Sequence, residues 1–405
     1  MHVCVLGAGI VGLSSAYALS VAGHQVTLLD RGAPGNGASG GNGAQLSYSY
    51  VQPLADPGIW KQLPKLLLSP DSPLKIRPQP DVHQWLWGLQ FMAACNAGTS
   101  RDTTLQLLRL AAESRAAFEA MMAAEHLDCD YTESGKLVMY REDASFAGAR
   151  RQLELQKALG SEQQALTAAE CVAIEPALAH SASQMVGGIY TPSECAADCY
   201  KVCLGLAEVL RQRGVTLQQG HAALKLVQRA GRVVAVETAQ GEIAADAFVL
   251  ALGADSPRLA RTVGVHLPVY PLKGYSLTLD VRAGAPAAAA PVVSVTDAAR
   301  KVVFARIGER LRVAGMAELV GYDTRIEQAQ IDSLQASTRA LFPDCSDFSE
   351  LNPWAGMRPA TPTSQPVIGL QPGAPSNLLF NTGHGALGFT LAFGSAARVA
   401  GLIGA

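Results

Sequence analysis

Charge is scarce in this chain. Only 16% of its 405 residues are Asp, Glu, Lys or Arg and the formal net charge is -2, so it has no basic stripe of the kind that binds nucleic acid. Eight cysteines are scattered without a single C-x-x-C pair, which argues against a disulfide framework and for a reducing compartment. Long apolar runs are also missing. No stretch reaches the roughly 18 uninterrupted apolar residues of a spanning helix. Met1 enters the first strand at once, leaving no room for the charged and apolar regions of a signal peptide. The expectation is a cytoplasmic protein whose membrane contact, if any, is peripheral on the inner face of the cytoplasmic membrane. With 49% apolar residues the chain has the material for a buried core, and its length suits two domains, or one threaded through another.

What is present begins at residue 3. "VCVLGAGIVG" runs an apolar strand, His2 to Leu6, into Gly7-Ala8-Gly9-Ile10-Val11-Gly12. A helix follows over Ile10 to Ala22 and closes at Gly23. A second strand, Gln25 to Leu29, ends at Asp30. This is the βαβ opening of a dinucleotide-binding unit. Gly7 permits the turn, Gly9 lets backbone approach a pyrophosphate, and Gly12 lets helix pack on strand. The helix N-terminus offers unpaired N–H donors, and Asp30 can accept both ribose hydroxyls. The motif does not separate FAD from NAD, and Arg31 raises NADP, because an Arg there can hold a 2′-phosphate. The following stretch, "GAPGNGASGGNGAQLSYSY", stands where the next helix is expected. It can lay backbone amides of Ser39, Asn42, Gly43, Ala44, Gln45 and Leu46 along a pyrophosphate and a flavin edge, or it is a flexible surface connection.

The cofactor texture returns over 197 to 256. A helix from Ala197 to Arg213 precedes strands at Val215 to Gln219, Leu224 to Arg229 and Val233 to Thr238. "AFVLALGADS" then brings Gly253 to a sharp turn beside the expected adenosine half. At the C-terminus a strand, a Gly-His-Gly turn and a last helix follow one another. Gly383, Gly385, Leu387, Gly388 and Thr390 surround that helix start, where N–H donors and the dipole favour negative charge such as a reduced flavin carries near N1 and O2. Cys195, Cys199 and Cys203 share one side of the expected helix. Without a C-x-x-C pair or a nearby His they read as small apolar residues, and no metal site is expected.

These motifs resemble the FAD-dependent D-amino-acid dehydrogenases of bacteria, the small-subunit type, within the wider glycine oxidase and sarcosine oxidase group. The likeness covers essentially the whole chain: the glycine motif with Asp30-Arg31, Ser39 and Asn42, then "YPLKGYSLTL" at 270 to 279, "GMAELVGYDT" at 315 to 324, "GMRPATPTSQPVIG" at 356 to 369 and "NTGHGALGFTLAFGS" at 381 to 395. The chain departs from the pattern at Ala197-Asp198-Cys199, where relatives usually have Gly-Asp-Cys, and in the extra tyrosines of the 40 to 50 loop. The resemblance implies a Rossmann-like FAD-binding domain with an antiparallel-sheet α+β substrate domain. It also implies non-covalent FAD and oxidative deamination of a D-amino acid, with electrons passed to a quinone or another acceptor.

Such an enzyme must hold a carboxylate, keep the amine neutral and present the Cα hydrogen to the flavin. Arg358, whose planar fork can donate to both oxygens of a carboxylate, is the expected clamp, and the resemblance implies the same role. Tyr275, on a strand face shared with Leu277 and Leu279, either adds a second donor or is a core tyrosine with a satisfied hydroxyl. Tyr48 and Tyr50 either line the pocket or pack. His384 either abstracts a proton or positions backbone near the flavin; hydride transfer from a neutral amine needs no strong base.

By composition, residues 1–60, 165–258 and 350–405 form a discontinuous FAD-binding domain, and 116–164 and 259–349 the substrate domain. Residues 61–115 form a helical insertion. Its Trp85 and Trp87, with Lys61, Lys65 and Lys75, suit either burial or a membrane surface. Competing readings are a glycine or sarcosine-type oxidase, a non-catalytic FAD-binding subunit and an NAD(P)-dependent dehydrogenase.

Overall fold

The computed structural model describes residues 1–60, 74–157, 162–282 and 286–404. The first strand, His2–Leu6, lies inside a six-stranded sheet. Its neighbours are Gln25–Asp30 and Ala247–Leu250, and the order continues outward to Thr216–Gln219 on one side and to Leu378–Thr382 and Val367–Gly369 on the other. All pairings are parallel except the last, which is antiparallel. Both faces are covered, so these strands read as near-continuous apolar runs. The helix Ile10–Val21 packs on one face because Gly12 has no side chain: a Cβ there would come within 1.7 Å of the Gly7 carbonyl oxygen. Gly7 itself has φ +112°, open to glycine and few others.

The C-terminal helix Gly388–Gly404 lies against Ile10–Val21 and against the 29-residue helix Ala97–Glu125. With its preceding turn it is long and apolar enough to cross a membrane by composition, but Leu391, Ala392, Phe393 and Val399 are buried in the core these helices share. Gly394 allows the close approach: a Cβ would meet the Leu110 carbonyl at 2.7 Å.

A nine-stranded sheet forms the second layer, in the order Trp354–Ala360, Tyr270–Asp280, Arg310–Leu319, Val302–Ile307, Ser294–Asp297, Lys136–Tyr140, Gly187–Thr191, Gln164–Leu166, with Leu74–Ile76 beside Arg310–Leu319. It is antiparallel apart from two parallel pairings, Ser294–Asp297 with Lys136–Tyr140 and Leu74–Ile76 with Arg310–Leu319. Its far face packs on the helix Gln328–Leu341 through Tyr275, Leu277, Leu279, Ile331 and Leu334. A small antiparallel sheet, Lys225–Arg229, Arg232–Thr238 and Gly241–Ala244, sits beside the first layer. Its third strand was not legible in the sequence, being four residues of largely exposed "GEIA".

Several sequence boundaries move. Residue 115 falls inside the Ala97–Glu125 helix, which docks on the C-terminal helix; the break expected there has no structural counterpart. Gly187–Thr191 and Trp354–Ala360, assigned from sequence to the cofactor unit, pair in the nine-stranded sheet because their hydrogen-bonding partners, Lys136–Tyr140 and Tyr270–Asp280, lie there. The helix expected from Ala197 begins at Cys199, capped by Asp198, whose carboxylate accepts from the Tyr200 and Lys201 amides. Cys195 therefore lies on a short strand apart from Cys199 and Cys203. No metal-ligating cluster occurs among the described residues. Lys61 and Lys65 lie outside the described residues.

Candidate active site

A cavity of about 2010 Å³ is lined by residues of both large sheets and of the loop between them. Ordinary small-molecule pockets hold roughly 300–1,000 Å³, so this one has room for a dinucleotide and a second ligand. At one end Gly7, Ala8, Gly9, Ile10 and Val11 form the wall. Asp30 is fixed by two backbone donors, Ala8 N to Oδ2 and Gly32 N to Oδ1, each at 2.7 Å, and a carboxylate so held keeps lone pairs for ribose hydroxyls. Gly12 stays behind the wall as a packing residue. Arg31, largely exposed, bridges Asp255 at 3.0 Å. Gly253, at φ +56°, lines the same end.

The Gly-rich loop is no free surface connection. Arg312 donates to the Asn42 carbonyl at 2.7 Å, and Glu194 accepts from the Tyr48 and Ser49 amides at 2.6 Å each. The loop is thereby pinned along the underside of the nine-stranded sheet. Gly41 faces the Trp354 indole so closely that a Cβ would lie 2.0 Å from it. Ser39, whose Oγ accepts from the Ile10 amide at 2.9 Å, lines the cavity with Asn42, Gly43 and Gln45. Ala44 and Leu46 do not: the Ala44 backbone is bonded to Asn42 Oδ1 and Ala197 N, and Leu46 is buried in the helical core.

At the other end Gly385, Leu387, Gly388 and Thr390 line the wall. Gly383 lies behind them, where a Cβ would meet Thr361 Cγ2 at 2.7 Å. The C-terminal helix starts here with no acidic residue in its first turn, leaving its dipole uncompensated on the cavity side. Two buried acceptor-capable atoms of the wall residues, Asn381 Oδ1 and His384 Nδ1, have no partner among the described residues. A glycine cradle at one end and a bare helix N-terminus at the other fit a flavin dinucleotide.

Arg358 reaches across Gly274 on the neighbouring strand and donates to the Met316 carbonyl at 2.7 Å and more weakly to Gly315 O at 3.4 Å. Desolvation alone pulls its pKa down to about 10; no charge of opposite sign compensates it among the described residues. A guanidinium sunk in the wall with spare donors suits an incoming carboxylate.

Tyr275 turns out to be committed elsewhere. Its hydroxyl donates to Glu318 Oε2 at 2.8 Å, Gln330 donates to the other oxygen, and Lys273 stands 3.9 Å from the same carboxylate. That buried network holds the strand to the Gln328–Leu341 helix, so the second-donor role read for Tyr275 is not available. Tyr48 and Tyr50 point apart. Tyr50 lines the cavity, whereas Tyr48 is buried in the helical core under Arg115. His384 is 2% exposed, hydrogen-bonded through Nε2 to Ser395 Oγ at 3.1 Å, and burial lowers its pKa to about 3. It is too weak a base to take a proton from an ammonium at neutral pH. Its backbone bridges Ala360, joining the Arg358 strand to the Gly-His-Gly turn.

Sequence reasoning missed Gly274, Met316, Trp354 and Lys136. A glycine inside a strand pattern and a lysine opening the apolar run "KLVMY" were the available signals.

The matching family model, described as DAO, FAD dependent oxidoreductase, spans residues 2–402. A D-amino acid dehydrogenase 2 of Ralstonia nicotianae is 50% identical over all of this chain and 96% of that protein, and one of Pseudomonas aeruginosa is 48% identical over 100% and 95%. Among solved structures, glycine oxidase from Geobacillus kaustophilus has a TM-score of 0.77 at 22% identity, covering 99% of this chain and 94% of that one. L-proline dehydrogenase from P. horikoshii has 0.77 at 17%, covering 99% and 92%. These structural likenesses carry the fold. With a family model over nearly the full length and relatives near half identical, the chain belongs to the DAO family of FAD-dependent oxidoreductases.

Proposed function

We infer that the chain oxidises D-amino acids to imino acids, which water hydrolyses to 2-oxo acids and ammonia. The carrying observation is Arg358, a half-buried guanidinium without a carboxylate partner among the described residues, in the wall of a cavity sized for a dinucleotide and a small acid. FAD, when bound, supplies the acceptor for the two electrons that leave Cα. The residues positioned to hold it are Gly7 to Val11, Asp30, Ser39, Asn42, Gly43, Gln45 and Gly385 to Thr390.

Arg358 fixes the substrate carboxylate with a bidentate contact, and its own position is set by the Met316 carbonyl and by the space over Gly274. His384 stays neutral and braces the turn. The amine therefore enters unprotonated or releases its proton to solvent, so kcat/KM rises with pH towards the amine's own pKa. Tyr50 closes the wall beside the loop. Anaerobic mixing with D-alanine bleaches the flavin absorbance and L-alanine does not. Peroxide release with glycine or sarcosine, and no bleaching by D-alanine, would instead place the chain with the amine oxidases of the glycine and sarcosine type.

The electron acceptor we propose is a membrane quinone. The helix Val82–Ala94 buries Trp87 against Tyr270 and Leu272 but leaves Val82, Trp85, Leu86 and Leu89 more than half exposed. The cavity reaches Trp85, Leu89 and Met92. An apolar helix face at the cavity mouth suits peripheral contact with a lipid surface. Co-sedimentation with liposomes that is lost in Trp85→Glu/Leu89→Glu supports this contact; equal sedimentation of both proteins overturns it.

A further inference from the structure

The strand Arg310–Leu319 does not pair evenly with Tyr270–Asp280. From Arg310 opposite Asp280 to Gly315 opposite Tyr275 each step on one strand matches one on the other, yet Glu318 stands opposite Lys273. Met316 and Ala317 therefore share the single partner Gly274, which is a β-bulge. Alternation fails at the same place. A Cβ on Gly315 would meet Leu334 on the face away from the cavity, and the next side chain, Met316, is buried in the cluster that holds Leu334 and Tyr275. Met316 has φ +59°, a left-handed conformation that a residue with a side chain keeps only where its surroundings hold it.

The bulge aims Arg358. In an even ladder the carbonyls lie in the plane of the sheet, directed at neighbouring strands. The extra residue interrupts that ladder, and the Met316 carbonyl accepts from Arg358 Nη1 at 2.7 Å over Gly274, on the cavity face. On the opposite face a carboxylate closes the bulge. Pairing resumes at Glu318, whose two oxygens accept from Tyr275 and from Gln330 at 2.8 Å each, with Lys273 3.9 Å away. Lys273 and Tyr275 flank Gly274, so one buried acid ties both sides of the residue that faces the bulge. Burial and the Glu318 carboxylate raise the pKa of the Tyr275 hydroxyl, which stays protonated and donates. Lys273 is held in turn by the Arg325 carbonyl. A slip to the even register would set Glu318 opposite Leu272, whose partner on its other side is Arg358, and would turn the acid to the cavity face. There it would compete for the guanidinium.

We propose that Glu318, from the face of the sheet turned away from the cavity, sets affinity for the substrate carboxylate by locking the Met316–Ala317 bulge that aims Arg358. Glu318 is a positioning residue and touches neither substrate nor cofactor. This rests on the reading of Arg358 as the carboxylate clamp.

The test compares Glu318→Ala, Glu318→Gln and Tyr275→Phe in the FAD-loaded enzyme, each alone and combined with Arg358→Ala. The quantities read are KM and kcat for D-alanine and the dissociation constant of propionate, followed through the flavin spectrum. Glu318→Ala should raise KM and the propionate constant roughly 10- to 100-fold, the size of an ångström-scale displacement of the clamp, with kcat lowered no more than about threefold and flavin content unchanged. Glu318→Gln still accepts from Tyr275 and should recover most of the affinity. Tyr275→Phe removes one hydroxyl without emptying the core, and should raise both constants about 3- to 10-fold even if Glu318→Ala does not fold. In the Arg358→Ala background the effects on kcat/KM should vanish, because the residue acted upon is gone. Tyr275→Phe with a lower melting temperature and an unchanged KM, or effects that multiply undiminished in the Arg358→Ala background, overturn the proposal and leave the network as a brace for the Gln328–Leu341 helix. Flavin that D-alanine does not reduce is instead a failure of the functional reading, and propionate binding in the same variants still reports whether Glu318 sets the position of Arg358.

Discussion

The guanidinium of Arg358 occupies the space that a side chain on Gly274 would take: a Cβ on Gly274 would lie 2.3 Å from Arg358 Cζ. Gly274 pairs with Gly356 across the two strands, and Arg358 pairs with Leu272. The glycine is therefore a seat for the Arg358 guanidinium. In Gly274→Ala the guanidinium must move by more than an ångström, and a misplacement of that size costs on the order of 100-fold in catalysis. Steady-state kinetics should show that loss while flavin content and melting temperature stay near wild type; unchanged kinetics would mean that Arg358 does not set the substrate.

Arg358→Lys keeps the charge but loses the planar fork. Lysine cannot make the bidentate contact, and kcat/KM is expected to fall by roughly 10- to 100-fold, through KM more than kcat. Arg358→Ala loses more, about 1,000-fold or beyond, because charged hydrogen bonds are each worth about 1.5–3 kcal/mol. Both variants should purify yellow. A colourless Arg358→Ala protein would move the residue from the substrate to the cofactor.

His384 has a folded pKa near 3, below the ordinary histidine value near 6.5. Between these values the unfolded chain binds a proton that the folded chain does not, so the residue contributes nothing to pH dependence above about 6.5 and destabilises the fold progressively as pH falls towards 3. His384→Gln should flatten the acid limb of the melting-temperature profile by about one proton. The activity profile of the wild type should show no limb from this imidazole above pH 5; a limb near 6 that vanishes in His384→Gln would return it to the role of base.

Gly12→Ala places a methyl group 1.7 Å from the Gly7 carbonyl oxygen. Overpacking against backbone costs about 3 kcal/mol or more, and here it also opens the turn beside the expected pyrophosphate. Differential scanning fluorimetry should report a drop in melting temperature together with loss of bound FAD. Retention of both would show that strand and helix can separate without disturbing the cofactor.

Local chemistry made part of this molecule readable in one dimension. Gly7, Gly9, Gly12 and Asp30 act within thirty residues, and the backbone demands of a βαβ turn are local, so their roles in the turn could be read from spacing alone. The C-terminal Gly-His-Gly turn and its helix were legible for the same reason. Tyr275 was ambiguous because a strand pattern says which face a side chain occupies but not which acid waits there; Glu318 and Gln330 answered that from 43 and 55 residues away. Tyr48 and Tyr50 were left between lining the pocket and packing, because the acid that holds the Tyr48 and Ser49 amides, Glu194, lies about 145 residues away in the chain.

The amino-acid sequence by itself determined the dinucleotide-binding turn, because Gly7, Gly9, Gly12 and Asp30 answer local backbone and charge requirements; the flavin and the two-layer architecture were implied by the family resemblance of longer motifs. Only the tertiary structure decided which side chains share the cavity. Arg358, Gly274, Met316 and Lys136 come from four strands of one sheet, and long-range strand pairing, which no local pattern encodes, brings all four to one cavity wall.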